Sequence, residues 1–159
     1  MQTSTEFAAL FRRDLTRLRQ QIESFPDDDK LWSTVAGVEN PAGNLALHLE
    51  GNLREFIGRQ MCGIPFVRVR PREFSDKGLT REELCRRVDA LIASLPAAIE
   101  SMPDGKLAEP FPEEFQGRTL SCRQFLIHLY GHFNYHLGQI DYLRRVLTGS
   151  GPVDYARLS

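Results

Sequence analysis

The sequence has few cysteines, and they are not spaced as pairs. Cys62, Cys85 and Cys122 are odd in number and lie far apart in the chain. Disulfide frameworks and thiolate zinc sites both require closely patterned cysteines, so we expect neither here. Unpaired cysteines favour a reducing compartment, and the sequence therefore predicts a cytoplasmic protein.

Long apolar runs and an excess of positive charge are also missing. No stretch approaches the roughly 20 apolar residues of a membrane-spanning helix. Charged residues at 12–14 interrupt the early apolar residues, so no signal peptide is expected. The net charge is −1, and the basic residues are spread along the chain. We therefore expect neither a membrane partner nor a nucleic-acid partner.

The apolar content is sufficient for one hydrophobic core. The chain has 159 residues, of which 42% are hydrophobic. This length is too short for two domains, so we expect residues 1–159 to form a single domain. Apolar residues recur at the helical period in four segments, each with start or stop signals. The predicted helices span about residues 3–23, 40–59, 80–101 and 119 or 121–147.

The connections between the predicted helices differ greatly in length. Residues 61–79 form the longest, too long for a tight hairpin and typical of a crossover between neighbouring helices. Residues 67–70 alternate valine and arginine and are expected to be extended at most. Residues 102–118 form a second long loop. The fold prediction is all-α: an antiparallel four-helix bundle with a long crossover between helices 2 and 3.

Histidines are few, and most lie on one helix. Three of the four, His128, His132 and His136, recur every four residues, which places them in one column of the last helix. His132 and His136 share a direction with the apolar stripe of that helix, and His48 lies in the apolar stripe of the second. A buried imidazole needs a hydrogen-bond partner, a proton-transfer role or a metal ion. Convergence from two helices favours the metal ion.

Three imidazoles around a divalent ion leave coordination positions open, which is typical of a reactive site. Zinc and nickel both suit imidazole ligands. A ferritin-like di-iron site is disfavoured, because the last helix has no glutamate and its one aspartate is Asp141. A metalloprotease His-Glu-x-x-His motif is absent, because Phe133 follows His132.

Polar residues near these histidines are candidates for supporting roles. Asn44 and Asn52 lie one turn to either side of His48 and could orient it or hold a water molecule. Gln139 is close enough to His136 in sequence to support it. Four roles stay open for His128: an alternative ligand, a hydrogen-bond partner of the ligands, a proton shuttle or a polar residue at the helix edge.

The 61–79 connection carries arginines that are candidates for substrate binding. Arg68, Arg70 and Arg72 alternate with other residues and could bind an anionic substrate, with the connection acting as a cover. The alternative is that they belong to a solvated loop.

The histidine pattern resembles that of the DinB-like family of metal-binding four-helix bundles, which includes bacillithiol and mycothiol transferases. The resemblance covers about residues 5–148. It lies in His48 together with the string His132-x-x-x-His136-x-Gly138-Gln139-Ile140. It implies that His48, His132 and His136 are the metal ligands and that the protein is a homodimer. Residues 47–53 and 72–74 are similar to a functionally uncharacterised branch of the family.

The resemblance also suggests a reaction. Family members of known activity use the ion to activate a low-molecular-weight thiol for transfer or isomerisation, so the leading hypothesis is a metal-dependent thiol (S-)transferase. Its small-molecule substrate would bind between helices 2 and 4. One alternative is a metal-dependent hydrolase that uses water in the same position. Another is a non-catalytic metal or ligand-binding protein related to stress. No catalytic residue beyond the metal ligands is predicted.

Overall fold

Helices dominate the structure, a computed structural model that describes residues 2–153 apart from the side chain of residue 104. The all-α prediction is confirmed, and no β-strand forms within this range. Residue 1 and residues 154–159, at the ends of the predicted domain, lie outside the described residues. The long helices are α1 (Thr3–Glu23), α3 (Ala42–Leu53), α5 (Arg81–Glu100) and α7 (Cys122–Thr148), and the short ones are α2 (Asp28–Leu31), α4 (Arg70–Ser75) and α6 (Asp104–Ala108).

The ends of α7 follow from its sequence. The Ser121 hydroxyl accepts a hydrogen bond from the Gln124 backbone N–H at 3.2 Å, and the Gln124 side chain accepts one from the Ser121 N–H at 2.9 Å. This reciprocal capping box satisfies two N–H groups that the first turn leaves without partners. Gly149 ends the helix in the left-handed region with φ of +68°. The start of α7 is therefore set by Ser121 rather than Thr119.

The second predicted helix changes its winding partway along. α3 continues without a break into a π-helix at Arg54–Met61. A π-helical turn is wider than an α-helical one and is often found near functional sites. The sequence pattern predicted a helix to about residue 59 but gave no sign of this change.

The crossover between α3 and α5 contains a helix that the sequence analysis missed. Residues 63–69 have no regular structure, in agreement with the extended interpretation, but Arg70–Ser75 form α4. The interpretation of residues 67–70 as extended at most was therefore wrong at Arg70, where α4 begins. Pro71 stands in the first turn of α4, where its missing N–H removes no intrahelical hydrogen bond. The 102–118 connection likewise contains α6.

Helix packing determines which faces meet. α1 packs along α5, while α3 packs against both α7 and α4. The bundle core is built from the apolar stripes of these helices, with Phe11, Leu49 and Phe133 among its fully buried side chains. The histidine of α3 therefore faces the histidine column of α7. Within the described residues, no helix combines the length and apolar content needed to cross a bilayer.

Candidate metal centre

Three histidine side chains meet between α3 and α7. His48 Nε2 lies 3.2 Å from His132 Nε2, and His136 Nε2 lies 3.1 Å from the same atom. One ligand nitrogen from each ring lies within 4.8 Å of the other two. The centre forms because His132 and His136 are one helical turn apart on α7 and α3 places His48 opposite them.

The three rings differ in how much solvent they see. His48 is buried, with 6% of its surface exposed. His132 and His136 are half-buried because they border an open cavity. The nitrogen cluster is thus held by the core on one side and accessible on the other.

The outer nitrogens of two rings are fixed by neighbouring oxygens. His48 Nδ1 lies 2.9 Å from Glu73 Oε2, and His136 Nδ1 lies 2.7 Å from Gln139 Oε1. A carboxylate or amide oxygen accepts hydrogen bonds, so Nδ1 carries the proton in each ring. The Nε2 lone pairs of His48 and His136 therefore point to the centre of the cluster.

The central ring, His132, has too few hydrogen-bond partners. Its Nδ1 is buried and has no partner. Burial, followed by the neighbouring His136 and His48, lowers the pKa of His132 to about 4, so the ring is neutral near pH 7. A proton on its Nε2 can satisfy one of the two neighbouring lone pairs, which leaves the other unpaired.

A divalent ion would use the three converging lone pairs, because it would accept one from each Nε2 atom, and the His132 proton would then lie on Nδ1. Imidazoles whose outer nitrogens are held by oxygens, as those of His48 and His136 are, suit zinc and related ions as ligands. The residues of the cluster therefore fit a metal ion. Burial also lowers the pKa of His136, which keeps this ligand in its metal-binding form.

Glu73 is a site residue that the sequence analysis did not select. It is buried on α4, and Arg68 holds it through Nε to Oε1 at 2.6 Å and Nη2 to Oε2 at 2.9 Å. Burial alone would raise the pKa of Glu73, but hydrogen bonds from His48 and Arg68 outweigh burial and lower it. Glu73 is therefore a carboxylate near pH 7. Its only sequence signal was its place between Arg72 and Phe74 in the string used for the resemblance.

The two asparagines beside His48 have roles other than orienting its imidazole. Asn44 Nδ2 donates to the backbone oxygens of Glu73 at 2.9 Å and Asp76 at 2.8 Å, and so ties α4 to α3. Asn52 is buried beside the cavity, and its Oδ1 has no hydrogen-bond partner. The His48 imidazole is thus oriented by Glu73 and by neither amide.

The histidine cluster forms one wall of a cavity of about 640 Å³. Aromatic side chains supply much of the remaining wall, and Phe111 and Phe125 stack with their ring centroids 3.9 Å apart. A volume of this size suits a small organic molecule. The other side chains bordering the cavity include Asn52, Phe56, Arg68, Arg70, Phe74, Glu113, Glu114, Phe115 and His128. A second cavity of about 480 Å³ touches His136 and Gln139 from another side.

His128 lies in the cavity but outside the ligand cluster. Its ring packs on Phe115 at 4.4 Å and on Phe125 at 5.7 Å between centroids, and lies 6.4 Å from the ring of His132. It is not among the three histidines whose nitrogens converge. His128 is therefore placed to contact a molecule in the cavity.

The three candidate arginines have three different environments. Arg68 is engaged by Glu73. Arg72 pairs with Asp76 at 3.0 Å, is largely exposed, and does not border the cavity of the histidines. Arg70 does border that cavity, lies 5.3 Å from the ring centroid of Phe74, and within residues 2–153 has no hydrogen bond or ion pair. Of the three, Arg70 alone offers this cavity a guanidinium without a hydrogen bond or ion pair among the described residues.

The fold and the cluster define a class of helical-bundle proteins with three histidines between two helices. The model of the DinB superfamily matches residues 10–140, and the chain belongs to that superfamily. The structure is similar to the crystal structure of a DinB-like protein from Bacillus cereus ATCC 10987, with a TM-score of 0.73 and 18% identity over 94% of this chain and 95% of that one. At that identity the likeness concerns the fold alone. No curated protein matches the chain.

Proposed function

We propose that the protein is a metal-dependent thiol (S-)transferase in which His48, His132 and His136 hold a divalent ion, zinc or nickel. The main support is the position of the cluster. Its nitrogens converge within 4.8 Å of one another on the wall of a cavity of about 640 Å³. A site that only stabilised the fold would be expected to be closed by a fourth protein ligand.

The chain's own residues prepare the centre for a substrate. An ion bound there would act as a Lewis acid and lower the pKa of a thiol or water in its open position. Glu73 and Gln139 hold the imidazoles of His48 and His136 in the ligating orientation. The phenyl rings of the cavity wall offer apolar surface to the electrophile.

The thiol would come from solution rather than from the protein. Burial raises the pKa of Cys62 to about 11 and also raises the pKa of Cys85 and of Cys122. Thiols with raised pKa values are weak nucleophiles near pH 7. None of the three borders the cavity of the histidines. A low-molecular-weight thiol is therefore the proposed co-substrate.

The proposed small-molecule substrate carries an anionic group, which would bind at the arginine side of a cavity that Glu113 and Glu114 also border. Arg70 is the candidate for binding this group, because its guanidinium borders the cavity and has no hydrogen bond or ion pair among the described residues. Asn52 offers a buried, unpartnered oxygen to a donor on the same molecule. Arg72 is not part of this proposal, because its side chain lies elsewhere.

The test is a screen of metal-loaded protein against electrophiles, with and without added thiols. We expect turnover that requires both metal and thiol, and that disappears when His48, His132 and His136 are replaced together by alanine. Turnover without thiol would instead identify a metal-dependent hydrolase. An ion fully coordinated by protein groups, with no exchangeable water, would favour a non-catalytic, stress-related binding protein. Unchanged turnover in the triple variant would contradict the proposal.

We also propose that the protein forms a homodimer in the cytoplasm. Tyr135, Tyr142 and Val146 lie on one face of α7 and are 64%, 67% and 65% exposed, an apolar surface that a second copy could cover. The three cysteines are free, which suits a reducing compartment. Light scattering should give twice the chain mass for the unmodified protein, and Tyr142→Glu should shift it towards the monomer. A monomeric unmodified protein would contradict the dimer.

A further inference from the structure

Gly51 and Glu73 approach each other more closely than any side chain at position 51 would allow. Gly51 lies on α3, one turn after His48. A Cβ atom built on Gly51 would lie 2.1 Å from Glu73 Oε1 and 2.8 Å from Glu73 Cδ. Even an alanine would therefore force the carboxylate to move. Glycine at this position leaves the space that the carboxylate occupies.

The backbone of Glu73 is held in place, so an alanine at position 51 would displace the Glu73 side chain. Asn44 holds the Glu73 carbonyl oxygen at 2.9 Å, and α4 packs directly on α3. The atoms nearest the built Cβ are at the end of the flexible Glu73 side chain. The same carboxylate accepts from His48 Nδ1 at 2.9 Å, so moving it removes the contact that orients this imidazole.

We propose that Glu73 is a positioning residue for the metal centre and that Gly51 is the position that admits it. Together they set the orientation of the His48 ring, and through it the affinity for a divalent ion. The inference rests on the proposed metal site. Partners of ligating histidines fix ring orientation and raise ligand basicity, and their loss typically weakens metal binding by about 10–100-fold.

The mechanism predicts that Gly51→Ala lowers metal affinity without weakening α3 as a helix. Alanine is a better helix former than glycine, so α3 itself should not be weakened. The metal affinity should nevertheless fall, although residue 51 does not touch His48. Gly58→Ala on the adjoining π-helix is the matched control, because a Cβ there meets its nearest atom at an ordinary 3.9 Å.

The test is a competition titration of metal-free full-length protein with Zn²⁺ and a chromophoric chelator. We expect Gly51→Ala and Glu73→Ala each to weaken zinc binding by about 10–100-fold. We expect Gly58→Ala to bind like the unmodified protein. The double variant Gly51→Ala/Glu73→Ala should bind zinc no more weakly than Glu73→Ala alone, because the two changes remove the same interaction, that between Glu73 and His48. Unchanged affinity in Gly51→Ala, or additive losses in the double variant, would overturn the inference.

A spectroscopic readout separates positioning from general damage. Long-range ¹H–¹⁵N spectra of the metal-free protein should show His48 protonated on Nδ1, and this signature should be lost in Gly51→Ala and Glu73→Ala but kept in Gly58→Ala. A retained signature in both variants would overturn the inference. If the unmodified protein bound neither zinc nor nickel, the proposed function would fail, while the spectra would still test the positioning of His48.

Discussion

Replacing the central histidine separates the metal account from ordinary core packing. His132→Leu removes the ring whose Nε2 contacts both other ligands, at 3.2 and 3.1 Å, and substitutes an apolar side chain of similar volume. A substitution at a well-packed core position usually destabilises a protein. Here we expect the metal-free protein to be nearly unaffected and the metal-dependent stabilisation to vanish.

The expected magnitudes follow from the hydrogen bonds of His132. Without metal, its Nε2 makes at most one full hydrogen bond, worth about 0.5–1.5 kcal/mol, while its buried, unpartnered Nδ1 costs about 1–3 kcal/mol. These terms oppose each other, so the unfolding free energy of the metal-free protein should change by only about 1 kcal/mol. With free metal at 100 times Kd, the unmodified protein gains about 2.7 kcal/mol. For a chain of this size, that raises Tm by about 5–10 °C.

Thermal unfolding with and without metal measures both the stability of the metal-free protein and the stabilisation that the metal adds. Tm is recorded for the unmodified protein and for His132→Leu, first with a chelator and then with added Zn²⁺ or Ni²⁺. His128→Leu is the matched control, since it makes the same chemical change one turn earlier on α7, at a ring outside the ligand cluster. It should keep the metal-dependent rise in Tm. A metal-dependent rise that survived in His132→Leu would refute the reasoning.

Three further predictions concern the cavity, a thiol and a supporting amide. In the cobalt-loaded protein, Arg70→Gln should lower the ratio of the affinity for mercaptoacetate to the affinity for mercaptoethanol by about threefold, the effect of one partly exposed ion pair. Arg72→Gln should leave this ratio unchanged, and equal ratios in the two variants would count against Arg70. Burial raises the pKa of Cys62 from 9.0 to about 11, so the contribution of this thiol to the free energy of unfolding is full below about pH 9.0 and is lost as the pH rises through about 11. Denaturant unfolding of the unmodified protein and of Cys62→Ala at these pH values measures this contribution, and a thiol that titrates near 9.0 would contradict the prediction. Gln139→Leu leaves His136 Nδ1 without its acceptor and should weaken zinc binding by about 10-fold in a competition titration; unchanged affinity would show that the amide has no supporting role.

Much of the fold could be read from the sequence because it depends on local signals. The apolar period predicted the four long helices, and the limits predicted for the last, 119 or 121 to 147, lie close to the observed Cys122–Thr148. The short helix α4 was missed because it is only six residues long and carries a proline, so it has no apolar period to detect. Its position depends on Asn44, a contact between elements that no local pattern records.

The candidate site was only partly predictable for the same reason. His132 and His136 share a helix face, so their proximity follows from spacing alone, and His48 was placed by its apolar stripe. Glu73 lies 25 residues beyond His48, and its contact with that ring requires the docking of α4. The arginines of the crossover alternate regularly in sequence, yet Arg70 and Arg72 differ in environment because α4 turns their side chains in different directions.

Metal analysis tests the tri-histidine centre most directly. The protein is purified without affinity metals or chelators, beside a variant in which His48, His132 and His136 are all alanine. We expect about one divalent ion per chain in the unmodified protein, with nitrogen ligands at about 2.0–2.1 Å by X-ray absorption if the ion is zinc, and none in the variant. Equal metal content in the two proteins, or an unmodified protein that binds no divalent ion when one is supplied, would contradict the centre.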